Sequence, residues 1–123
     1  MSRVTRAALV VVFAWFLLGG IAHFAFTQAE MRIVPPWVPW PRAAVLVTGV
    51  LELAGAAGLL VRRTRAAAAW GLFVLTIAVT PANIYMLQHA GAFPQAPWLA
   101  LVLRLPLQVV LLALIWRVGR TEH

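Results

Sequence analysis

Five side chains able to do chemistry lie within apolar stretches of this sequence: His23, Glu52, Asn83, Arg104 and Gln108. An imidazole, a carboxylate and a guanidinium can hold protons and charge, and two amides can orient a polar ligand or each other. At membrane depth such groups are expensive, so they turn inward and find partners. Arg104 and Gln108 are four apart and share one helical face. Thr76, Thr80 and Asn83 follow the i, i+4, i+7 spacing of a single polar stripe. Glu52 is flanked on its own face by Gly49, Gly55 and Ala56, while Gly19 and Gly20 lie one turn before His23; small residues of this kind let helices approach closely. A carboxylate in hydrocarbon needs a proton or a cation, and Arg104 is the only basic residue inside an apolar run. The expectation is therefore a buried Glu52–Arg104 pair with Gln108, Asn83 and His23 as hydrogen-bonding neighbours. Two readings of the cluster stay open: a ligand-binding pocket, or a polar lock that fixes helix register.

The elements that must carry these residues are helices. The chain has 123 residues, 63% hydrophobic and 11% charged, against about 25% charged in a soluble domain. It reads as one domain over residues 1–123, an all-α four-helix transmembrane bundle. Four runs approach the roughly 20 apolar residues that cross a bilayer, at 7–26, 43–61, 66–87 and 98–116. Prolines 35, 36, 39 and 41 break the first gap, Arg62-Arg63-Thr64-Arg65 turns the second, and Gly91, Pro94 and Pro97 break the third. Membrane strands are excluded because the runs lack alternation and are about twice strand length. The first run is too long for the apolar core of a signal peptide and is read as retained. From a rise of about 1.5 Å per residue, Glu52 and Gln108 lie roughly 14–15 Å below the outer ends of their spans, Arg104 about 9 Å, and His23 and Asn83 about 5–6 Å. All five therefore fall between the midplane and the outer surface.

Charge sets direction. The formal net charge is +7, and every basic residue is arginine. These arginines sit between apolar runs and form no basic stripe on a soluble fold, which excludes nucleic acid as a partner and leaves the lipid bilayer. Arg3, Arg6, Arg62, Arg63, Arg65, Arg117 and Arg120 flank one side, Arg32 and Arg42 the other, so the positive-inside rule places both termini in the cytoplasm, N-in/C-in. Trp37, Trp40 and Trp98 mark the outer interface and Trp70 and Trp116 the inner one, while Trp15 reads as packing. The stretch Val34-Pro35-Pro36-Trp37-Val38-Pro39-Trp40-Pro41 should be a stiff polyproline-like strap, either an interfacial anchor or a lid over the outer mouth. Pro81 and Pro106 should kink their spans and widen the outer half.

Cysteine is absent, which removes disulfides, thiolate nucleophiles and thiol redox relays. His23, His89 and His123 have no metal-binding spacing, so no metal is expected. No phosphate loop, nucleophile elbow or dinucleotide fingerprint occurs, and no catalytic residue is assigned.

Several segments, in order, resemble the DoxX-like family of small bacterial integral membrane proteins: Gly20-Ile21-Ala22-His23-Phe24, Val34-Pro35-Pro36-Trp37-Val38-Pro39, Thr48-Gly49-Val50-Leu51-Glu52-Leu53-Ala54-Gly55, Pro81-Ala82-Asn83-Ile84-Tyr85-Met86 and Arg104-Leu105-Pro106-Leu107-Gln108. The resemblance spans nearly the whole chain. It implies a four-helix bundle in the bacterial inner membrane and an association with quinone-linked or oxidative-stress redox systems, in which relatives include a thiosulfate:quinone oxidoreductase. It carries over no catalytic residue set.

The functional expectation is a membrane subunit of such a redox system, its outer pocket taking a quinone headgroup, with Arg104, Gln108 and His23 donating hydrogen bonds and Glu52 handling a proton. The alternative is a non-enzymatic protein that binds a lipophilic ligand or assists membrane assembly. Isomerase-like acid–base chemistry on a lipid is a third reading, and transport ranks last for want of an inverted repeat. Partner subunits or a homo-oligomer are compatible with all of these; Ala54 and Gly58 offer a small-xxx-small pair for dimerisation.

Overall fold

The computed structural model describes residues 1–32, 34–89 and 98–121. The expectations placed on Gly91, Pro94, Pro97 and His123 lie outside them.

Apolar runs become helices where capping groups satisfy their ends. Helix α1 (Arg3–Ala25) starts at Ser2, whose hydroxyl accepts the Thr5 N–H at 3.1 Å, supplying one of the acceptors that an N-terminus lacks. A five-residue helix, α2 (Thr27–Met31), follows; its period is too short to register in an apolar pattern, and it rests on the next long helix. The proline-rich connection is not the extended strap expected. The Val38 N–H donates to the Pro35 carbonyl at 3.0 Å, closing a turn in which Pro36 holds the position that suits its fixed φ.

Helix α3 (Pro41–Leu60) opens with proline in its first turn, where no N–H is missed. It ends in the arginine turn: Thr64 Oγ1 donates to the Gly58 carbonyl at 2.8 Å and Arg65 Nε to the Leu59 carbonyl at 2.7 Å. The third span is divided. Helix α4 (Arg65–Ala78) and helix α5 (Thr80–Gln88) meet at Val79, with Pro81 in the first turn of α5. Thr76 and Thr80 donate back to the Leu72 and Thr76 carbonyls at 2.7 and 3.1 Å, which fills acceptor sites beside the break. Pro106, by contrast, is accommodated within the unbroken helix α6 (Trp98–Thr121).

Four helical segments, Arg3–Ala25, Pro41–Leu60, Arg65–Tyr85 and Val102–Arg120, are long and apolar enough to cross a membrane. They pack as a ring in which α1 lies against α3, α3 against α4, α4 against α6, and α6 against α1. Large apolar residues such as Val10, Leu18, Val50, Val74 and Val109 are exposed on the outside of this ring, as a lipid-facing surface requires.

The interior is divided along its length. Apart from Val45, its buried apolar core is Ala8, Val12 and Phe16 of α1, Ala56 and Leu59 of α3, Ala69 and Leu72 of α4, and Leu111, Ile115 and Val118 of α6. Every one of these residues lies toward the arginine-rich end. That end is also tied by Arg117 Nε donating to Thr5 Oγ1 at 3.0 Å and by Trp70 edge-on to Trp116 with centroids 5.1 Å apart. The opposite half holds the polar residues. Gly58 is committed within the chain, since a Cβ there would stand 2.8 Å from that of Ala68.

Candidate functional site

Close contact between α1 and α3 depends on Gly19, Gly20 and Gly49, two of which each face the ionisable residue of the other helix. A Cβ on Gly49 would fall 2.7 Å from the His23 Cβ, and one on Gly19 would fall 3.0 Å from Glu52 Oε1. Because the helices run antiparallel, Gly19 and His23 on α1 meet Glu52 and Gly49 on α3 in reverse order. Each glycine thus vacates the space that the other helix's polar side chain occupies.

Within that space His23 Nε2 lies 2.7 Å from Glu52 Oε2, with the two side chains 17% and 12% exposed. The sequence reading pairs Glu52 with Arg104; the structure pairs it with His23. The glycine notch seats His23 directly on α3, and Arg104, exposed on α6, lines the same cavity.

The other nitrogen of His23 decides the proton inventory. His23 Nδ1 is 2.8 Å from the Val45 carbonyl and 3.1 Å from Thr48 Oγ1. A carbonyl oxygen only accepts, and the Thr48 hydroxyl spends its own proton on the Ala44 carbonyl at 2.7 Å; Nδ1 must therefore carry hydrogen. The short contact at Nε2 then holds a single proton, belonging either to an imidazolium facing a carboxylate or to a carboxylic acid facing a neutral imidazole. Both forms have zero net charge, which suits a low-dielectric setting.

A second polar group stands on α4, α5 and α6. Asn83 Nδ2 donates to Gln108 Oε1, and Gln108 Nε2 donates to Thr80 Oγ1 and to the Thr76 carbonyl. Gln108 is 9% exposed. Its amide donates to residues on both sides of the helix break at Val79, and so serves as a clasp across that break.

The two groups face one cavity of about 650 Å³. His23, Glu52, Asn83, Arg104 and Gln108 all line it, and Trp15, Phe16, Leu75 and Leu111 supply apolar wall. Val34, Pro35, Trp37 and Val38 of the proline-rich turn close one side, and Trp37 stands edge-on to Tyr85 of α5 with centroids 6.4 Å apart. Trp15 is 48% exposed and belongs to the cavity wall, not to the core. Thr48 escaped the sequence reading although it lies one helical turn from Glu52, the i−4 spacing that could have exposed it. Glu30 of α2 also lines the cavity; no sequence pattern announced it. No group of three or more potential metal ligands occurs among the described residues.

A family described as Domain of unknown function (DUF8561) matches residues 9–119. The chain belongs to this family. The match takes in every residue of the polar cavity named above, and all of the four membrane-length helices except the start of Arg3–Ala25 and the last residue of Val102–Arg120. Searches of curated proteins and of solved structures find no match.

Proposed function

We propose that this protein binds a lipophilic small molecule with an oxygen-bearing head, of the quinone class, as a membrane subunit of a quinone-linked or oxidative-stress redox system. Its setting is the bacterial inner membrane, with both termini cytoplasmic and the cavity in the outer half. The observation that carries this reading is one apolar-walled cavity of about 650 Å³ with the single-proton His23–Glu52 pair on its wall. Ligand sites are concave, mostly apolar and furnished with few polar groups. Asn83 and Arg104 would bind head oxygens, and the proton between His23 and Glu52 is placed to be handed over. Reducing a quinone to a quinol takes two electrons and two protons; the His23–Glu52 pair supplies one proton, water reaching the cavity the second, and a redox partner protein the electrons, since this chain has no cysteine and no potential metal cluster among its described residues. The redox association rests on the DoxX-like motifs, and the arginine distribution supports the orientation.

The alternative is a non-enzymatic holder of a lipophilic ligand or an assembly protein. The engagement of both Gln108 donors and of His23 Nδ1 with the protein itself favours it, since fewer groups are left for chemistry.

Purified protein in lipid nanodiscs, titrated with ubiquinone and menaquinone, tests the reading. A rise in thermal stability with quinone, lost in Trp15→Ala and Arg104→Gln, supports it. Unchanged stability and no co-purified quinone reject the quinone class. Stabilisation by a non-quinone lipid without turnover supports the holder.

A further inference from the structure

Four residues of α1, Trp15, Leu18, Gly19 and Ala22, follow the i, i+3, i+4, i+7 spacing of one helical face, and all four line the large cavity. Two of them also belong to the outside of the bundle: Trp15 is 48% and Leu18 68% exposed. A helix side chain that is mostly exposed yet lines the cavity has no second element packed over it and stands on a rim. Its direction follows from Gly20, which is seated against α3, where an added Cβ would fall 2.7 Å from the Leu53 side chain. At about 100° per residue, Leu18 points roughly 160° away from Gly20, on the flank of α1 turned from α3. The neighbour there is α6, joined to α1 at the arginine-rich end by the Arg117–Thr5 bond and by Phe16 and Leu111 in the shared core. Trp15 stands at the middle of α1, and Ala22 lies about 10 Å further along the helix, so in a bilayer the rim sits at the depth of lipid chains. Another side of the cavity is closed by the proline-rich turn, where Trp37 stands edge-on to Tyr85.

We propose that this rim is a lateral portal: a lipid ligand enters from the bilayer past Trp15 and Leu18, and its long isoprenoid or alkyl tail stays among the lipid chains while the oxygen-bearing head sits inside. Such a portal, which rests on the ligand-binding reading above, narrows the ligand from quinones in general to long-tailed ones that travel in the bilayer. The head has a short path. Glu52 Oε1 stands 3.0 Å from the place of a Cβ on Gly19, and Gly19 adjoins Leu18, so a head that passes the rim arrives beside the His23–Glu52 pair. Size agrees with this. A cavity of about 650 Å³ encloses a drug-sized molecule but not a ring that carries a long isoprenoid tail, and the tail therefore needs an exit. Among lipid chains that exit costs little, because the tail leaves one apolar surrounding for another.

A tail series tests this on the full chain in nanodiscs: the bare ubiquinone ring, the ring with a decyl chain, and long-tailed ubiquinone. Affinity is read from thermal stabilisation against each compound's mole fraction in the bilayer, which removes differences in partitioning. The three affinities should agree within about threefold, since the tail stays in lipid. Leu18→Trp, which adds bulk at the rim, should weaken the two tailed compounds about tenfold and leave the bare ring unchanged. Ile21→Trp makes a similar addition at an exposed position of α1 outside the cavity and should change none of the three. Affinity that falls as the tail lengthens would mean an enclosed cavity, and equal effects of the two tryptophan variants would place the opening elsewhere. Either result overturns the portal and leaves the quinone reading standing. Binding of none of the three compounds rejects that reading and the portal with it. Should Leu18→Trp fail to fold, the tail series on the unaltered chain still decides between an open and an enclosed cavity.

Discussion

His23 Nε2 and Glu52 Oε2 stand 2.7 Å apart, and the Val45 carbonyl 2.8 Å from His23 Nδ1 obliges that contact to hold one proton. The pair is a joined unit, and removing one member leaves the other in a poorly solvated place. In a double-mutant cycle of His23→Gln and Glu52→Gln, the coupling measured by thermal or denaturant unfolding should be about 1–3 kcal/mol. A cycle of Glu52→Gln with Arg104→Gln should give a smaller value. A larger coupling in the second cycle would put the arginine, and not the imidazole, beside the carboxylate.

The glycine notches predict a graded series. Gly49→Ala would drive a methyl to 2.7 Å from the His23 Cβ, an atom fixed to the backbone, and should destabilise by about 1–3 kcal/mol. Gly19→Ala meets only the end of the Glu52 side chain at 3.0 Å, which can yield, so its effect should be milder. At Gly71 nothing lies within 4 Å, and alanine there should be neutral or stabilising by up to about 1 kcal/mol from helix propensity. Melting temperatures in one detergent rank the three. Any order that puts Gly71→Ala last contradicts the packing described.

Gln108 predicts a local loosening. Gln108→Ala strips a partner from Asn83, from Thr80 and from the Thr76 carbonyl at once. A cost of about 1–3 kcal/mol is expected, with faster hydrogen exchange confined to α5 and the end of α4. Uniform acceleration over all helices would show that the amide does not act as a clasp.

Topology can be read cleanly because the chain lacks cysteine. In intact cells, Arg63→Cys should resist a membrane-impermeant maleimide and Trp40→Cys should react with it, the order demanded by cytoplasmic termini. Labelling of Arg63→Cys from outside would invert the proposed orientation and place the polar cavity in the inner half.

By itself the sequence determined the helical class, the four membrane-length segments and the polar residues that share one cavity. These follow from quantities local in the chain: apolar run length against bilayer thickness, breakers at the gaps, and the fixed rise and period of a helix, which set depth and face. Even the closeness of α1 and α3 was legible in Gly19, Gly20 and Gly49. The partner of Glu52 was not. Charge alone favours Arg104, and only the three-dimensional arrangement, with Gly49 admitting the His23 ring to the Val45 carbonyl, puts the imidazole beside the carboxylate. The same holds for α2, for the turn at Pro35–Val38 and for the unbroken course of α6 through Pro106, whereas the break beside Pro81 was legible. Rotation of each helix about its axis and the partition of donors among Gln108, Asn83 and Thr80 are settled by contacts between residues 25 to 32 positions apart. No local pattern encodes such distances, so the tertiary structure had to decide them.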